Sequence, residues 1–176
     1  ETGDYSTTVT AYYFDGNGDR QPLTVTNGSV TLPPGVASFF VSVPTTSEND
    51  FEGAERFTLS ALLANGNADS DTATILDDGS GRIYNDDGTV DPAGVPDDDR
   101  TLTVTGKDDV SEGSNAIFTV TIEAASSAPT VVTLGFGDVA DTTEAGDYST
   151  TITAYYFDGN GDRQALTVTN GSVTLP

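Results

Sequence analysis

Hydrophobic residues alternate with polar ones in short runs along most of the chain. The runs "FTLSALL" (57–63), "TLTVT" (101–105) and "IFTVTI" (117–122) place hydrophobic side chains at alternate positions. Because successive side chains of a β-strand point to opposite faces, this period of two predicts strands that bury one face. No segment shows the 3.6-residue period of an amphipathic helix. The pattern therefore predicts an all-β protein.

Turn signals separate these runs. In "LTVTNGSVTL" (23–32) the Asn27-Gly28 pair suits the two positive φ angles of a type I′ turn. A two-residue turn there would place Val25 opposite Val30, on the same face of a hairpin. Short strands separated by Gly, Asn and Asp turns are typical of an antiparallel sandwich.

A long segment occurs twice. Residues 3–33 recur as residues 146–176 with two substitutions, Val9 to Ile152 and Pro22 to Ala165, at an offset of 143 residues. A fixed period of this kind predicts tandem repeats. Between the two copies, residues 79–100 ("GSGRIYNDDGTVDPAGVPDDDR") are rich in Gly, Pro and Asp, which predicts a linker with at most one short strand at "RIY".

The charge and composition exclude several functions. The chain has 28 acidic and 6 basic residues, a formal net charge of -22, and no Cys, His, Met or Trp. Partners such as nucleic acids and anionic membranes need clustered Lys and Arg, so neither is expected. A zinc site, a Ser-His-Asp triad and a thiol nucleophile are also excluded, which leaves oxygen ligands and hard cations such as Ca²⁺. No apolar run is long enough for membrane insertion.

Paired carboxylates such as Glu52 and Glu55 occur in glycosidases, but no other feature indicates a substrate cleft. We therefore predict that the protein is not an enzyme. The aromatic residues of "AYYF" (11–14) and Phe39-Phe40 have two possible roles, either in core packing or in an exposed adhesive patch.

The "DGNGD" loops are candidate calcium sites. The spacing D-x-N-x-D matches the first three ligand positions of an EF-hand loop, but Arg20 stands where Gly is needed and Thr26 where the closing Glu is needed. Two interpretations are open: a polar hairpin tip, or a weak loop-type calcium site. The residues concerned are Asp15, Asn17 and Asp19 with their counterparts Asp158, Asn160 and Asp162.

Five motifs together resemble the Calx-β module, a calcium-binding β-sandwich of sodium–calcium exchangers and large bacterial adhesins. In module order they are "VSEG" (110–113), "EAGDYS" (144–149), "LPPG" (32–35), "EGAERF" (52–57) and "TATILDDG" (72–79). The resemblance implies immunoglobulin-like antiparallel β-sandwich modules in tandem, cut out of register. Residues 1–80 would be the C-terminal part of one module, 81–100 an acidic linker, and 101–176 the N-terminal part of the next.

The resemblance also implies calcium at one end of the sandwich, held by carboxylates from several loops. The implied ligands are Asp4, Glu48, Asp50, Glu52, Asp77 and Asp78 in the first module, and Glu112 and Asp147 in the second. Two interpretations of Asp97-Asp98-Asp99 stay open, a calcium site at the junction or a self-repelling flexible linker.

By resemblance, we expect a calcium-binding extender repeat of a long, secreted bacterial cell-surface adhesin of the RTX type, which supports attachment or biofilm formation. The alternative is an adhesive module that binds a sugar or a protein. The expected partners are neighbouring repeats. Residues 1–79 and 101–142 are also expected to complement each other, within one chain or in a strand-swapped homodimer.

Overall fold

The computed structural model describes residues 3–107, 109–137, 141–144 and 146–176. Over these ranges the chain forms eleven β-strands and no helix, which confirms the predicted all-β class. All strand pairs are antiparallel. The strands are β1 (Thr10–Phe14), β2 (Arg20–Leu23), β3 (Phe40–Ser42), β4 (Glu55–Leu62), β5 (Ala68–Ile75), β6 (Leu102–Gly106), β7 (Phe118–Ile122), β8 (Thr130–Thr133), β9 (Ala154–Phe157), β10 (Arg163–Leu166) and β11 (Ser172–Leu175).

The chain divides into two compact units. The first unit ends at Asp99 and the second begins at Arg100. The first contains the three-stranded sheet β2-β1-β3 and the hairpin β4-β5. The second contains the pairs β6-β7, β8-β11 and β9-β10. Of the predicted linker 81–100, residues 81–99 lie in the first unit, and Arg100 begins the second.

The core of the first unit forms around β1, the central strand of its sheet, where the consecutive residues Ala11 and Tyr12 are both buried. The Tyr12 side chain is 4% exposed and stacks on Phe40 of β3, with ring centroids 5.5 Å apart and an interplanar angle of 10°. Phe14 packs edge-on against the same two rings. Core packing is therefore the role of Tyr12, one of the two roles that the sequence left open.

Residues 81–99 are ordered against this core. The Tyr12 hydroxyl donates a hydrogen bond of 2.7 Å to the Asp86 carbonyl oxygen, and Arg20 Nε lies 3.0 Å from Asp86 Oδ2. A bridge between Tyr84 and Val90 closes a short hairpin, which includes the tyrosine of the predicted "RIY" strand. A stretch rich in Gly, Pro and Asp can therefore pack when its backbone groups and charges find partners.

In the second unit the core lies between β8 and β11. Val132 and Val173, which are directly opposite in the register, are 8% and 6% exposed. The Arg100 guanidinium donates hydrogen bonds to the Ala124 carbonyl oxygen (3.0 Å) and Thr130 Oγ1 (3.1 Å). These bonds attach the start of the unit to the turn before β8 and to β8 itself.

The predicted hairpin turn is confirmed in both copies. Asn27 and Gly28 have φ angles of 49° and 75°, and Asn170 and Gly171 have 50° and 79°. These are the positive angles that a type I′ turn requires. In both copies, however, the predicted ladder is limited to a single bridge, Thr26 to Ser29 and Thr169 to Ser172. Leu23 pairs instead with Ala11, and Leu166 with Ala154, because β2 and β10 join β1 and β9.

Both units leave large hydrophobic side chains at the surface. Among the described residues, only Ala11, Tyr12, Val132 and Val173 are buried hydrophobics. Exposed ones occur on the β4-β5 hairpin, where Leu62 is 74% exposed, and on both strands of the β6-β7 hairpin. The two face-to-face sheets of an immunoglobulin-like sandwich stay a prediction. The described residues include no helix long and apolar enough to cross a membrane.

Candidate metal site

Three carboxylates that are distant in sequence converge in the first unit. Oxygen atoms of Asp4, Glu52 and Glu55 all lie within 4.8 Å of one another. Asp4 is 9% exposed, and its carbonyl oxygen accepts a 2.8 Å hydrogen bond from the backbone N–H of Thr46. Glu55 is the first residue of β4. Gly53, with a φ of 83°, turns the backbone between the two glutamates. The backbone thus holds these three negative charges together.

Asp77, two residues after the end of β5, binds the backbone beside this cluster. Its Oδ2 accepts hydrogen bonds from the backbone N–H groups of Glu52 (2.7 Å) and Gly53 (3.3 Å). Its Oδ1 is buried and has no hydrogen-bond partner. A buried carboxylate oxygen without a partner is costly, and such atoms in native proteins usually bind a proton donor, water or an ion. We call Asp4, Glu52, Glu55 and Asp77 the acidic site.

A second group of acids lies beside Asp77. The backbone N–H of Asp99 donates to the Asp77 carbonyl oxygen (2.9 Å), and that of Gly79 to the Asp97 carbonyl oxygen (2.8 Å). Burial raises the pKa of Asp99, and so do the negative charges of Asp97, Asp77, Glu48 and Asp98. Negative charge is therefore concentrated around Asp99.

The remaining predicted ligands of the first unit differ in role. Asp78 Oδ1 accepts hydrogen bonds from the backbone N–H and the hydroxyl of Ser80, which closes a turn. Glu48 and Asp50 are exposed in the loop before Glu52. Ser47, in the same loop, donates a 2.7 Å hydrogen bond to Asp97 Oδ2. Glu48 therefore contributes to the raised pKa of Asp99, and Glu48 and Asp50 both lie at the surface.

The geometry and chemistry of the acidic site fit a hard divalent cation. Calcium binds oxygen at about 2.3 to 2.6 Å, so two ligands on opposite sides of one ion are separated by about 4.6 to 5.2 Å. The 4.8 Å spread of the Asp4, Glu52 and Glu55 oxygens is within this limit. The three clustered carboxylates can supply at least three of the six to eight oxygens that calcium takes. Asp77 binds the backbone of Glu52 and Gly53 beside them, and its Oδ1 has no other partner.

The corresponding place in the second unit is different. Asp147, the counterpart of Asp4, is exposed, and its Oδ2 accepts a 2.7 Å hydrogen bond from the Glu144 backbone N–H. Glu112 is exposed in the turn from Ser111 to Ser114. Ala145, within the "EAGDYS" motif, lies outside the described residues. No second group of three clustered acids occurs among the described residues.

The "DGNGD" loops are hydrogen-bonded turns. Asp15 Oδ1 accepts from the backbone N–H groups of Asn17 (2.9 Å) and Asp19 (3.1 Å), and its Oδ2 accepts from Gln21 Nε2 (2.9 Å). These bonds, first that of Asn17 and then that of Asp19, lower the pKa of Asp15. The second copy repeats them around Asp158, with Asn160, Asp162 and Gln164 as donors. In both loops the two oxygens of the first aspartate therefore accept hydrogen bonds from within the loop, and a calcium site there stays a prediction.

Glu55 is the residue of the site that the motifs did not predict as a ligand, although its separation of three residues from Glu52, across Gly53, is a usable signal. The position of Asp97 to Asp99 depends on a bridge between Asp78 and Asp98, twenty residues apart. A contact of that kind has no local signature.

Comparisons with protein-family models, with curated proteins and with solved structures find no match for this chain.

Proposed function

We propose that the first unit binds Ca²⁺ at the acidic site, and that the chain is a calcium-rigidified extender repeat of a long bacterial cell-surface adhesin. The cluster of Asp4, Glu52 and Glu55 carries the calcium part of the proposal. The buried, unpartnered Oδ1 of Asp77, whose Oδ2 binds the backbone of Glu52 and Gly53, supports it. The recurrence of residues 3–33 as 146–176 carries the repeat part.

Calcium at this site would link segments that otherwise repel one another. Asp4 comes from the start of the unit, Glu52 and Glu55 from the entry to β4, and Asp77 from the exit of β5. Asp97 to Asp99 lie beside them through the bridge to Asp78. One bound ion would neutralise part of this charge and fix the relative positions of these segments. The unit would thereby gain stability and stiffness.

An extender role follows from the combination of repetition and acidity. Near-identical repeats suit a spacer, whose length and stiffness matter more than the individuality of each unit. Weak extracellular calcium modules have dissociation constants on the order of 10⁻⁴ to 10⁻³ M, near calcium levels outside cells. Folding coupled to calcium would keep the chain open where calcium is scarce and order it at the cell surface. Attachment or biofilm formation is the purpose that the Calx-β resemblance implies for such a spacer.

Thermal unfolding tests the calcium site, with a control that the repeat provides. With about 10 mM Ca²⁺ and a dissociation constant of 10⁻⁴ to 10⁻³ M, the free energy of unfolding rises by about 1.4 to 2.7 kcal/mol. For a unit of this size that corresponds to about 6 to 20 °C in Tm. Asp77→Asn and Asp4→Asn should remove most of the rise, whereas Asp147→Asn, at the matching position of the second copy, should keep it.

Three results would contradict the calcium assignment. They are an unchanged Tm on adding Ca²⁺, an equal rise with Mg²⁺, and the same loss in Asp4→Asn and Asp147→Asn. The extender role needs its own experiment, small-angle scattering of an array of several repeats in calcium and in chelator. A maximum dimension that grows in proportion to repeat number only in calcium supports the extender. A collapsed array in calcium rules it out.

A further inference from the structure

The chain contains five Asn-Gly dipeptides, and each of them lies in an exposed turn. The five asparagines are Asn17, Asn27, Asn65, Asn160 and Asn170. In an Asn-Gly pair the side-chain amide carbon can be attacked by the backbone nitrogen of the glycine, which has no Cβ to hinder the approach. Composition and exposure are the same at all five places, so the backbone hydrogen bonds must decide where this reaction occurs.

At three of the five dipeptides the glycine nitrogen is held in a turn hydrogen bond. Each of these N–H groups donates to the carbonyl oxygen three residues earlier: Gly18 to Asp15 (3.0 Å), Gly66 to Leu63 (2.9 Å) and Gly161 to Asp158 (2.9 Å). In the second of these turns the Asn65 Oδ1 is also engaged, because it accepts a 3.0 Å hydrogen bond from the Asn67 N–H. Attack by the glycine nitrogen would have to break the turn first.

The type I′ turns at Asn27 and Asn170 leave the glycine nitrogen free. The two 2.9 Å hydrogen bonds that close the first turn run between Thr26 and Ser29. The peptide group that joins Asn27 to Gly28 neither donates nor accepts a hydrogen bond within the part of the chain that the structure describes, and the same holds for Asn170 and Gly171. This peptide group can therefore rotate toward the asparagine side chain without losing a hydrogen bond of its own.

The two asparagines also differ from the others in backbone conformation. Asn27 and Asn170 have φ angles of 49° and 50°, and they are the two non-glycine residues with positive φ in the described ranges. Residues with a Cβ adopt this region less readily than glycine does, although asparagine tolerates it better than most. The turn thus holds both asparagines in a conformation that they adopt less readily than glycine.

We propose that Asn27 and Asn170 are modification sites, at which the chain deamidates spontaneously. The Gly28 nitrogen gives up its proton to solvent and attacks Asn27 Cγ. A bond forms between that nitrogen and Cγ, the bond from Cγ to Nδ2 breaks, and ammonia leaves with the proton, so that a five-membered succinimide remains. Gly171 and Asn170 react in the same way.

Water completes the reaction by opening the succinimide. Attack of water at Cγ breaks its new bond to nitrogen and gives aspartate, whereas attack at the backbone carbonyl carbon breaks the original peptide bond and gives iso-aspartate. One water is consumed and one ammonia is released for each asparagine, and nothing is oxidised or reduced.

Each product changes the turn in which it forms. A carboxylate replaces a neutral amide, so a chain with a formal net charge of -22 gains one further negative charge per turn. Iso-aspartate also carries the main chain through its Cβ, which adds one carbon to a two-residue turn that depends on two positive φ angles. The Thr26–Ser29 bridge should therefore open in the iso-aspartate form. This proposal depends neither on calcium nor on an extender role.

Tryptic digestion separates the five asparagines, because the six Lys and Arg residues place each of them in a different peptide. The peptides are 1–20, 21–56, 57–82, 108–163 and 164–176. The whole folded chain is incubated at mildly alkaline pH and sampled over several weeks. Mass spectrometry measures the deamidated fraction at each asparagine, and fragment ions distinguish aspartate from iso-aspartate. A parallel incubation in concentrated urea removes the turns.

In the folded chain we expect Asn27 and Asn170 to deamidate about two- to tenfold faster than the other three asparagines, which is the factor that one turn hydrogen bond is worth. In urea the five rates should converge. The control variant is Asn27→Gln, whose longer side chain closes a less favourable six-membered ring. It should abolish the change at position 27 and leave Asn170 as reactive as before.

The same experiment has three results that would overturn the proposal. Equal rates at all five asparagines of the folded chain would mean that the turn hydrogen bonds do not control the reaction. Faster conversion at Asn17, Asn65 or Asn160 would mean that a free glycine nitrogen is not what limits it. Conversion of Asn27 in urea but not in the folded chain would mean that the type I′ turn protects its asparagine.

Discussion

The two copies of the 31-residue segment share their local structure and differ in what covers it. In both, the arginine after the "DGNGD" loop lies over a tyrosine ring, Arg20 over Tyr12 at 4.0 Å and Arg163 over Tyr155 at 3.9 Å. The turns and loop hydrogen bonds also agree. Yet Asp4 and Tyr12 are buried, while Asp147 is exposed and Tyr155 half-buried. Short-range sequence thus determines turns and loops, and distant segments determine burial and the acidic site.

The largest difference is expected at the tyrosine. Tyr12→Ala removes a stacked ring and a hydroxyl that binds Asp86, and should lower the free energy of unfolding of the first unit by about 3 to 5 kcal/mol. Tyr155→Ala should affect the second unit by only about 1 to 2 kcal/mol, because its ring is half-buried. Urea unfolding, followed by NMR signals from each unit, measures both. Equal losses would mean that β3 and residues 81–99 add nothing to the core.

Substitution of the turn glycines should give a smaller difference between the two copies, with the larger loss of stability in the second copy. Both have positive φ angles, so Gly28→Ala and Gly171→Ala share a backbone cost of about 1 to 2 kcal/mol. A Cβ at Gly171 would lie 3.2 Å from the Leu134 carbonyl oxygen, whereas one at Gly28 meets nothing within 4 Å. Gly171→Ala should therefore lose roughly 1 kcal/mol more in the same urea experiment. Matching losses would show that β8 does not restrain the second turn.

The "DGNGD" loops should respond equally, since their hydrogen bonds are the same. Hydrogen bonds lower the pKa of both Asp15 and Asp158 below the ordinary value of 3.8. Their contribution to stability is thus complete above pH 3.8 and is lost as the pH falls through the folded-state pKa. Asp15→Ala and Asp158→Ala should each lower Tm by a few degrees at neutral pH and by less in acid. Neither substitution should change the rise in Tm that calcium causes. A smaller rise in either variant would indicate that the loop binds calcium.

Substitution of Asp99 should give the smallest effect, and it should raise Tm where the substitutions above lower the stability. Burial and its acidic neighbours raise its pKa, so its contribution to stability is greatest below pH 3.8 and is lost as the pH rises through the folded-state pKa. Without calcium, Asp99→Asn should therefore raise Tm slightly at neutral pH and leave it unchanged in acid. A lower Tm at neutral pH would show that Asp99 is stabilised by its surroundings.

The sequence predicted the elements that depend on neighbouring residues. The alternation in residues 57–63, 101–105 and 117–122 lies in or at the ends of β4, β6 and β7, and Asn27-Gly28 forms the expected turn. It did not predict that "SVTL" would be a strand in one copy only, because identical residues carry identical local preferences. In the second copy the segment is a strand because it pairs with β8, which lies far from it in sequence.

The site was predictable to a similar extent. Asp4, Glu52 and Asp77 were selected through their motifs, and the structure brings them together. Glu112 and Asp147 were selected in the same way, yet lie exposed in the second unit. A motif identifies a candidate ligand, but the partners that complete a site come from segments whose proximity only the fold determines.

The most direct test of this account is a calcium titration of the ¹⁵N-labelled chain followed by amide NMR. We predict that calcium shifts the signals of Glu52 and Gly53, whose N–H groups bind Asp77, and of Tyr5 beside Asp4. The signals of Tyr148 and of both "DGNGD" loops should stay in place. Equal shifts at Tyr5 and Tyr148, or shifts in the loops without any at Glu52 and Gly53, would contradict the claim that the acidic site of the first unit binds the ion.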